Sequence, residues 1–140
     1  MRVASGNLCE AEAPTEATAE TKPEITEENI MNAKTERQIE NLKKQTIGVE
    51  IEMNHITRER AAKLAADHFG TGRYEYTASR NGYSTWSAWD AQGREWKFQK
   101  DVSIAGCDAE KCELVTPILK YEDIETLQEL VRKLRKAGAI

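Results

Sequence analysis

The sequence predicts an α+β domain, a largely antiparallel sheet with helices on one face, preceded by a disordered tail. Three observations carry this. Short segments alternating apolar and polar residues run in the order strand, helix, hairpin, strand, helix. Two longer segments, 57–69 and 122–137, place apolar residues at helical spacing and have start and stop signals at their ends. Acidity is confined to the beginning of the chain. Nine acids against four bases give residues 1–40 a net −5, in a chain whose net charge is −4, so residues 41–140 carry about +1.

The first segment is rich in Glu, Ala, Thr and Pro and holds too little apolar surface to offset its chain entropy. Residues 1–44 are therefore expected to be an acidic, mostly disordered tail, with a loose helix over 27–44 in which Ile30, Ala33 and Ile39 are weakly patterned. The domain is expected over 45–140. Residues 46–53 read as its opening strand. Ile47, Val49, Ile51 and Met53 share an apolar face, and Gly48, Glu50 and Glu52 share the other. Two carboxylates on one sheet face repel each other, so a cation is expected over them: a divalent metal, or Lys and Arg side chains.

Thr57 is a natural N-cap for the helix over 57–69, where Ala61, Leu64, Ala65 and His68/Phe69 recur at helical spacing before Gly70. Residues 73–82 read as a polar loop punctuated by Gly82. Residues 83–90 and 94–101 read as a hairpin about a turn at 91–93, with Trp96 and Phe98 on one face and Lys97, Gln99 and Asp101 on the other. A fourth strand is expected over 111–119, where Pro117 should end the pairing. In the last helix Ile124, Leu127, Leu130, Val131 and Leu134 form the buried stripe. Its acidic first turn and basic last turn match the helix dipole.

Composition narrows the function. A near-neutral folded part argues against nucleic acid. No apolar run approaches the ~20 residues of a membrane span, and residues 1–20 lack the apolar core of a signal peptide. Cys9, Cys107 and Cys112 are too few for a disulfide framework, which fits a reduced, cytoplasmic protein. Cys107 and Cys112 have the spacing of half a metal site, but no second Cys or His pair accompanies them. If the apolar strand faces all point at the helices, the opposite face collects Glu50, Glu52, Lys97, Gln99, Asp101 and Glu113. Such an oxygen-rich set suits a hard cation such as Mg²⁺ shared with phosphates.

Gly48-Val49-Glu50-Ile51-Glu52 resembles the opening strand of the carboxylate–amine ligases related to glutamine synthetase and glutamate–cysteine ligase. More closely, the ordered runs GVEIEMNHITRERAA, REWKFQKDVSIAG and CELVTPILKYEDIETLQELVRKLRKAGA resemble the amidoligase family of bacteria, fungi and phage-related loci, over residues 46–139. The resemblance implies a partial glutamine synthetase-like fold and an ATP-dependent ligase that joins a carboxylate to an amine through an acyl phosphate. It implies Glu50, Glu52 and Glu113 as Mg²⁺ ligands. Glu50, Glu52 and Lys97 would stand at the ATP, and Asp101 and Ser103 would be catalytic at the substrate. The partners would be carboxylate and amine substrates, peptides among them, in a cytoplasmic and phage-associated setting.

Family members continue with a strand bearing closely spaced histidines, whereas this chain has only His55 and His68. The expectation is therefore an N-terminal part of such a ligase, a truncated fragment. The alternatives are a non-catalytic phage-associated protein- or peptide-binding domain, and an interaction domain whose carboxylates pair with Lys97, Arg94 or helix bases. Convergence of Glu50, Glu52 and Glu113 would favour the metal; Glu113 pointing into the helix layer would exclude it.

Overall fold

The computed structural model describes residues 24–78 and 83–140. The helices are α1 (Glu27–Lys43), α2 (Arg58–Phe69) and α3 (Ile124–Lys136). The strands are β1 (Thr46–Ile47), β2 (Glu50–Met53), β3 (Tyr74–Tyr76), β4 (Trp86–Trp89), β5 (Glu95–Gln99), β6 (Cys112–Val115) and β7 (Leu119–Lys120). An antiparallel five-stranded sheet has the order β2-β6-β5-β4-β3, and β1 pairs with β7 separately. The architecture is α+β, with α2 and α3 against one face of the sheet. Among the described residues no helix is long and apolar enough to cross a membrane.

The tail expectation for residues 1–23 lies outside the described residues. Within 24–44 the loose helix is a regular one. Thr26 Oγ1 accepts from the Asn29 N–H at 3.2 Å, and Glu27 and Glu28 occupy the first turn. None of its residues is buried, so local signals rather than packing define it.

The expected strand over 46–53 is broken at Gly48–Val49, and its partner over 111–119 is broken at the same level. Pro117 has no N–H to donate, so the ladder cannot run through it. The break is sealed by Thr116. Its N–H donates to the Val49 carbonyl at 3.0 Å, and its Oγ1 accepts from the Val49 N–H at 3.0 Å. A second correction concerns 73–82. Tyr74–Tyr76 is an edge strand, with Tyr74 and Tyr76 tilted against Trp86 at 6.0 and 5.4 Å between centroids. Aromatics favour strands, but three residues are too few for a periodicity signal. Residues 79–82, with Gly82, lie outside the described residues.

Helix α2 is capped by Thr57, and it ends at Gly70, whose φ of 77° is the left-handed cap conformation. Ala61, Ala62, Ala65 and Ala66 are all fully buried, so small side chains let α2 lie close against β4 and β5. Leu127, Leu130 and Leu134 carry α3, which begins after a 3-10 turn at Tyr121–Asp123. Trp96, Phe98, Leu114, Cys112 and Met53 supply the sheet side of the core. The hairpin turn is wider than 91–93. Asp90 Oδ1 accepts the N–H groups of Gln92 and Arg94 at 2.9 and 3.0 Å, with Gly93 at φ 77°.

Candidate functional site

Register decides which side chains share the open face. Residues directly opposite in neighbouring strands point to the same side. One row across the sheet is Glu52–Glu113–Gln99; the next toward the hairpin is Glu50–Val115–Lys97–Ser87–Glu75. Between them runs Ile51–Leu114–Phe98–Trp86, on the helix side. The carboxylates of Glu50, Glu52 and Glu113 therefore stand away from the helix layer.

Glu52 and Glu113 are cross-strand neighbours, an unfavourable pairing of like charges. Asp101, just past the end of β5, joins them. One carboxylate oxygen from each of Glu52, Asp101 and Glu113 lies within 4.8 Å of the others. Glu50 stands one row along, opposite Val115, with Lys97 beyond it. The cluster thus contains Glu52 and Glu113 of the expected ligand set, with Asp101 as the third oxygen source. Glu113 is oriented by Gln99, whose Nε2 donates to Oε2 at 2.9 Å.

Asp101 is fixed by its own loop. The Ser103 N–H donates to Asp101 Oδ1 at 2.8 Å. Hydrogen bonds from the Ser103 backbone and hydroxyl, aided by nearby Lys111, hold the Asp101 carboxyl below the usual carboxylate range. The Ser103 N–H holds its carboxylate in place beside Glu52 and Glu113. Ser103 is exposed and lines an open depression of about 260 Å³ with Glu52, Asn54 and Ile104.

The lysines at the two ends of the Asp101 loop are engaged elsewhere. Lys100 and Lys111 pair with Asp108 at 2.7 and 3.2 Å. Arg94 lies on the helix side, bound to Asp90 and Asp123. Among the described residues no ion pair reaches Glu50, Glu52 or Glu113, and Lys97 makes none. A triad of carboxylates that makes no ion pair among the described residues suits a hard divalent cation, which prefers oxygen ligands.

Arg58, outside the expected site residues, supports the site from behind. Its Nε donates to the Ser84 carbonyl at 3.0 Å, and its Nη1 donates to the carbonyls of Asp108 and Lys111 at 3.0 and 2.7 Å. It clamps the far end of the loop that carries Asp101 and Ser103. A signal was present: a cation in the first turn of a helix opposes the dipole, so its position needs another reason.

The remaining candidates do not join the cluster. His55 is exposed, at φ 61°, and its Nδ1 meets Asn54 Oδ1 at 2.7 Å. His68 bridges the helices. Its Nδ1 accepts from Lys133 Nζ at 2.9 Å, so Nε2 donates to the Thr126 carbonyl at 3.1 Å. Cys107 is exposed and Cys112 buried, and both are free thiols. Burial pushes the Cys112 thiol up to about 12. A second depression, about 300 Å³, lies beside Arg94, but its His68, Asp90, Arg94 and Asp123 are already bonded to protein partners.

A family model described as "putative amidoligase enzyme" matches residues 43–140. No curated protein and no solved structure matches the chain. The match covers both sheet rows, the Asp101 loop and the helices behind them, and the chain belongs to the amidoligase family.

Proposed function

We propose that the chain carries the acidic wall of an ATP-dependent carboxylate–amine ligase, which forms an amide through an acyl phosphate in the cytoplasm. The observation that carries this reading is the convergence of Glu52, Asp101 and Glu113 on the open face of a domain of this family. The donor set fits Mg²⁺, being three carboxylates and no sulfur or imidazole. Glu52, Asp101 and Glu113 would hold the ion. Bound there, Mg²⁺ would neutralise phosphate charge during transfer.

The chain's own residues supply the rest. Gln99 orients Glu113, and the Ser103 N–H orients Asp101. Lys97, one row from the cluster and with no ion pair among the described residues, would meet a phosphate, with Glu50 on the same row. Ser103 faces the depression beside Glu52, where a carboxylate or amine substrate would enter.

Isothermal calorimetry of the full chain with ATP tests this. Heat is expected with Mg²⁺ and not with EDTA, and Glu52→Gln is expected to weaken binding at least tenfold while the circular dichroism spectrum stays unchanged. Equal binding with and without the metal, or no effect of Glu52→Gln, would refute the assignment.

A further inference from the structure

Arg73 is held at both its backbone and its side chain, yet its side-chain donors are unused. The Trp89 N–H donates to the Arg73 carbonyl at 3.1 Å, which continues the β3–β4 ladder one residue beyond Tyr74. The Thr71 hydroxyl donates to the Trp89 carbonyl at 2.6 Å and accepts from the Arg73 N–H at 3.3 Å. The Arg73 guanidinium lies over the Trp89 ring, 4.2 Å from its centroid. Trp89 is 8% exposed, so the ring is a fixed platform. Arg73 itself is exposed, and among the described residues its guanidinium makes no hydrogen bond and no ion pair.

Side chains alternate along a strand, so Arg73 and Trp89 share the open face with Glu75, Ser87 and Lys97. Glu75 follows Arg73 on that face and Glu95 stands opposite Trp89, but neither pairs with Arg73. Glu95 accepts instead from the Ser87 hydroxyl at 2.7 Å. The aromatic platform fixes the guanidinium before a ligand arrives, so little rotamer freedom is lost on binding. Its forked N–H donors match the two oxygens of a carboxylate. We infer that Arg73 is a carboxylate-binding subsite on the open face, and that its ligand is a peptide carboxylate, C-terminal or from a side chain.

Separation from the Glu52–Asp101–Glu113 cluster sets the size of the ligand. Gln99 lies opposite Glu113 and Glu95 lies opposite Trp89, four residues apart on β5. Trp89 is also two strands away from Glu113. At ~3.4 Å per residue and ~4.8 Å per strand, the two positions are about 16 Å apart. A ligand that reacts at the cluster and is anchored at Arg73 takes about five extended residues to span this, and a single amino acid is too short. That length rests on the ligase reading; the carboxylate subsite does not. The subsite is also remote from Ile140, which pairs with Asn54 beside β2 at the other side of the sheet.

The probe is acetylated penta-alanine with a free C-terminal carboxylate. It is titrated at millimolar concentration into the ¹⁵N-labelled full chain, without nucleotide or metal, and followed at the Arg73 Nε–H and Trp89 indole signals. Both should move, and amidation of the peptide should weaken binding at least fivefold. An amidated peptide with glutamate in fifth place separates the two sources: recovered affinity assigns a side-chain carboxylate, and no recovery a C-terminal one. Arg73→Gln should weaken binding at least fivefold. Arg73→Lys should weaken it at least threefold, because an ammonium keeps the charge without the fork. Arg60→Gln, the same charge change on the exposed side of α2, should alter it less than twofold. If an Arg73 variant fails to fold, the acid and amide peptides decide on the wild type. A nitroxide in place of the acetyl group should broaden the Glu50 and Glu113 amide signals, because the chain crosses the face toward them. Equal binding of acid and amide, or unmoved Arg73 and Trp89 signals, would overturn the subsite and leave Arg73 as a cover for Trp89. Broadening confined to the hairpin turn at 90–94 would overturn the peptide's path. Either failure is distinct from a loss of Mg²⁺-dependent ATP binding, which is measured separately.

Discussion

Replacing Arg94 with Met should cost the fold about 2–4 kcal/mol. The guanidinium ties the hairpin turn to the start of α3. Its Nε donates to Asp90 Oδ2 at 2.8 Å, and its two terminal nitrogens donate in a fork to Asp123 Oδ2 and Oδ1 at 2.8 and 2.9 Å. Asp90 is 8% exposed, so losing Arg94 strands a nearly buried carboxylate that keeps only Trp96 Nε1 and backbone donors. The full penalty for breaking a buried pair is about 3–5 kcal/mol, and the lower figure reflects an Arg94 side chain still 24% exposed. Met keeps the apolar stem, which isolates the charge effect.

The acid limb gives a second reading of the same network. Arg94, with the Lys120 N–H, draws the Asp123 carboxyl from the ordinary 3.8 to about 2. Asp90 is pushed up by burial, but hydrogen bonds from Trp96 and Arg94 outweigh this and leave it below the ordinary value. Both folded-state values lie below the unfolded ones. Their stabilisation is therefore complete above about pH 4 and is lost as pH falls toward 2, with about 1–2 kcal/mol from Asp123. Urea unfolding at pH 7 and along a series down to pH 2 measures both effects. Arg94→Met should lower the midpoint at constant m-value and flatten the acid limb. A loss under about 1 kcal/mol, or an unchanged acid slope, would show that Arg94 does not hold Asp90 and Asp123 in solution.

Trp96→Ala should destabilise by about 3–5 kcal/mol, because the indole is fully buried, packs on Phe69 at 4.8 Å and donates to Asp90; an unfolding midpoint near wild type would place the core elsewhere. Arg58→Lys should cost about 1–3 kcal/mol and speed amide exchange at Ser103, since an ammonium cannot reproduce the fork that holds Ser84, Asp108 and Lys111. Unchanged exchange there would free the Asp101 loop from Arg58. Gly70→Ala should cost about 1 kcal/mol, set by the φ of 77° alone, because no atom lies within 4 Å of the added Cβ; a neutral change in thermal unfolding would contradict it.

What the sequence disclosed follows from the range of each interaction. Thr57, Gly70 and the Leu127–Leu130–Leu134 stripe act within one helix, so α2 and α3 were readable, as was the apolar face shared by Trp96 and Phe98. The break at Gly48–Val49 was not readable from 46–53 alone, because it lies opposite the interruption at Pro117, between β6 and β7. The edge strand Tyr74–Tyr76 hid because its pairing partner, not its own periodicity, makes it a strand. At the candidate site, strand alternation placed Glu50, Glu52 and Glu113 on one face, but alternation carries no register. Opposing Glu52 to Glu113, and Glu50 to Val115, needs the β2–β6 pairing. Asp101 enters the cluster through a loop bend that Ser103 fixes locally and Arg58 anchors from a distant helix.

Glu52, Asp101 and Glu113 are proposed to form one divalent-cation site. Mn²⁺ titration of the ¹⁵N-labelled full chain tests it most directly, because the paramagnetic ion broadens amide signals by proximity alone. Broadening is expected first at Glu52, Asp101, Ser103 and Glu113, with reversal by excess Mg²⁺ and loss of the effect in Glu52→Gln. Broadening confined to the acidic first forty residues, with those four signals untouched, would contradict it.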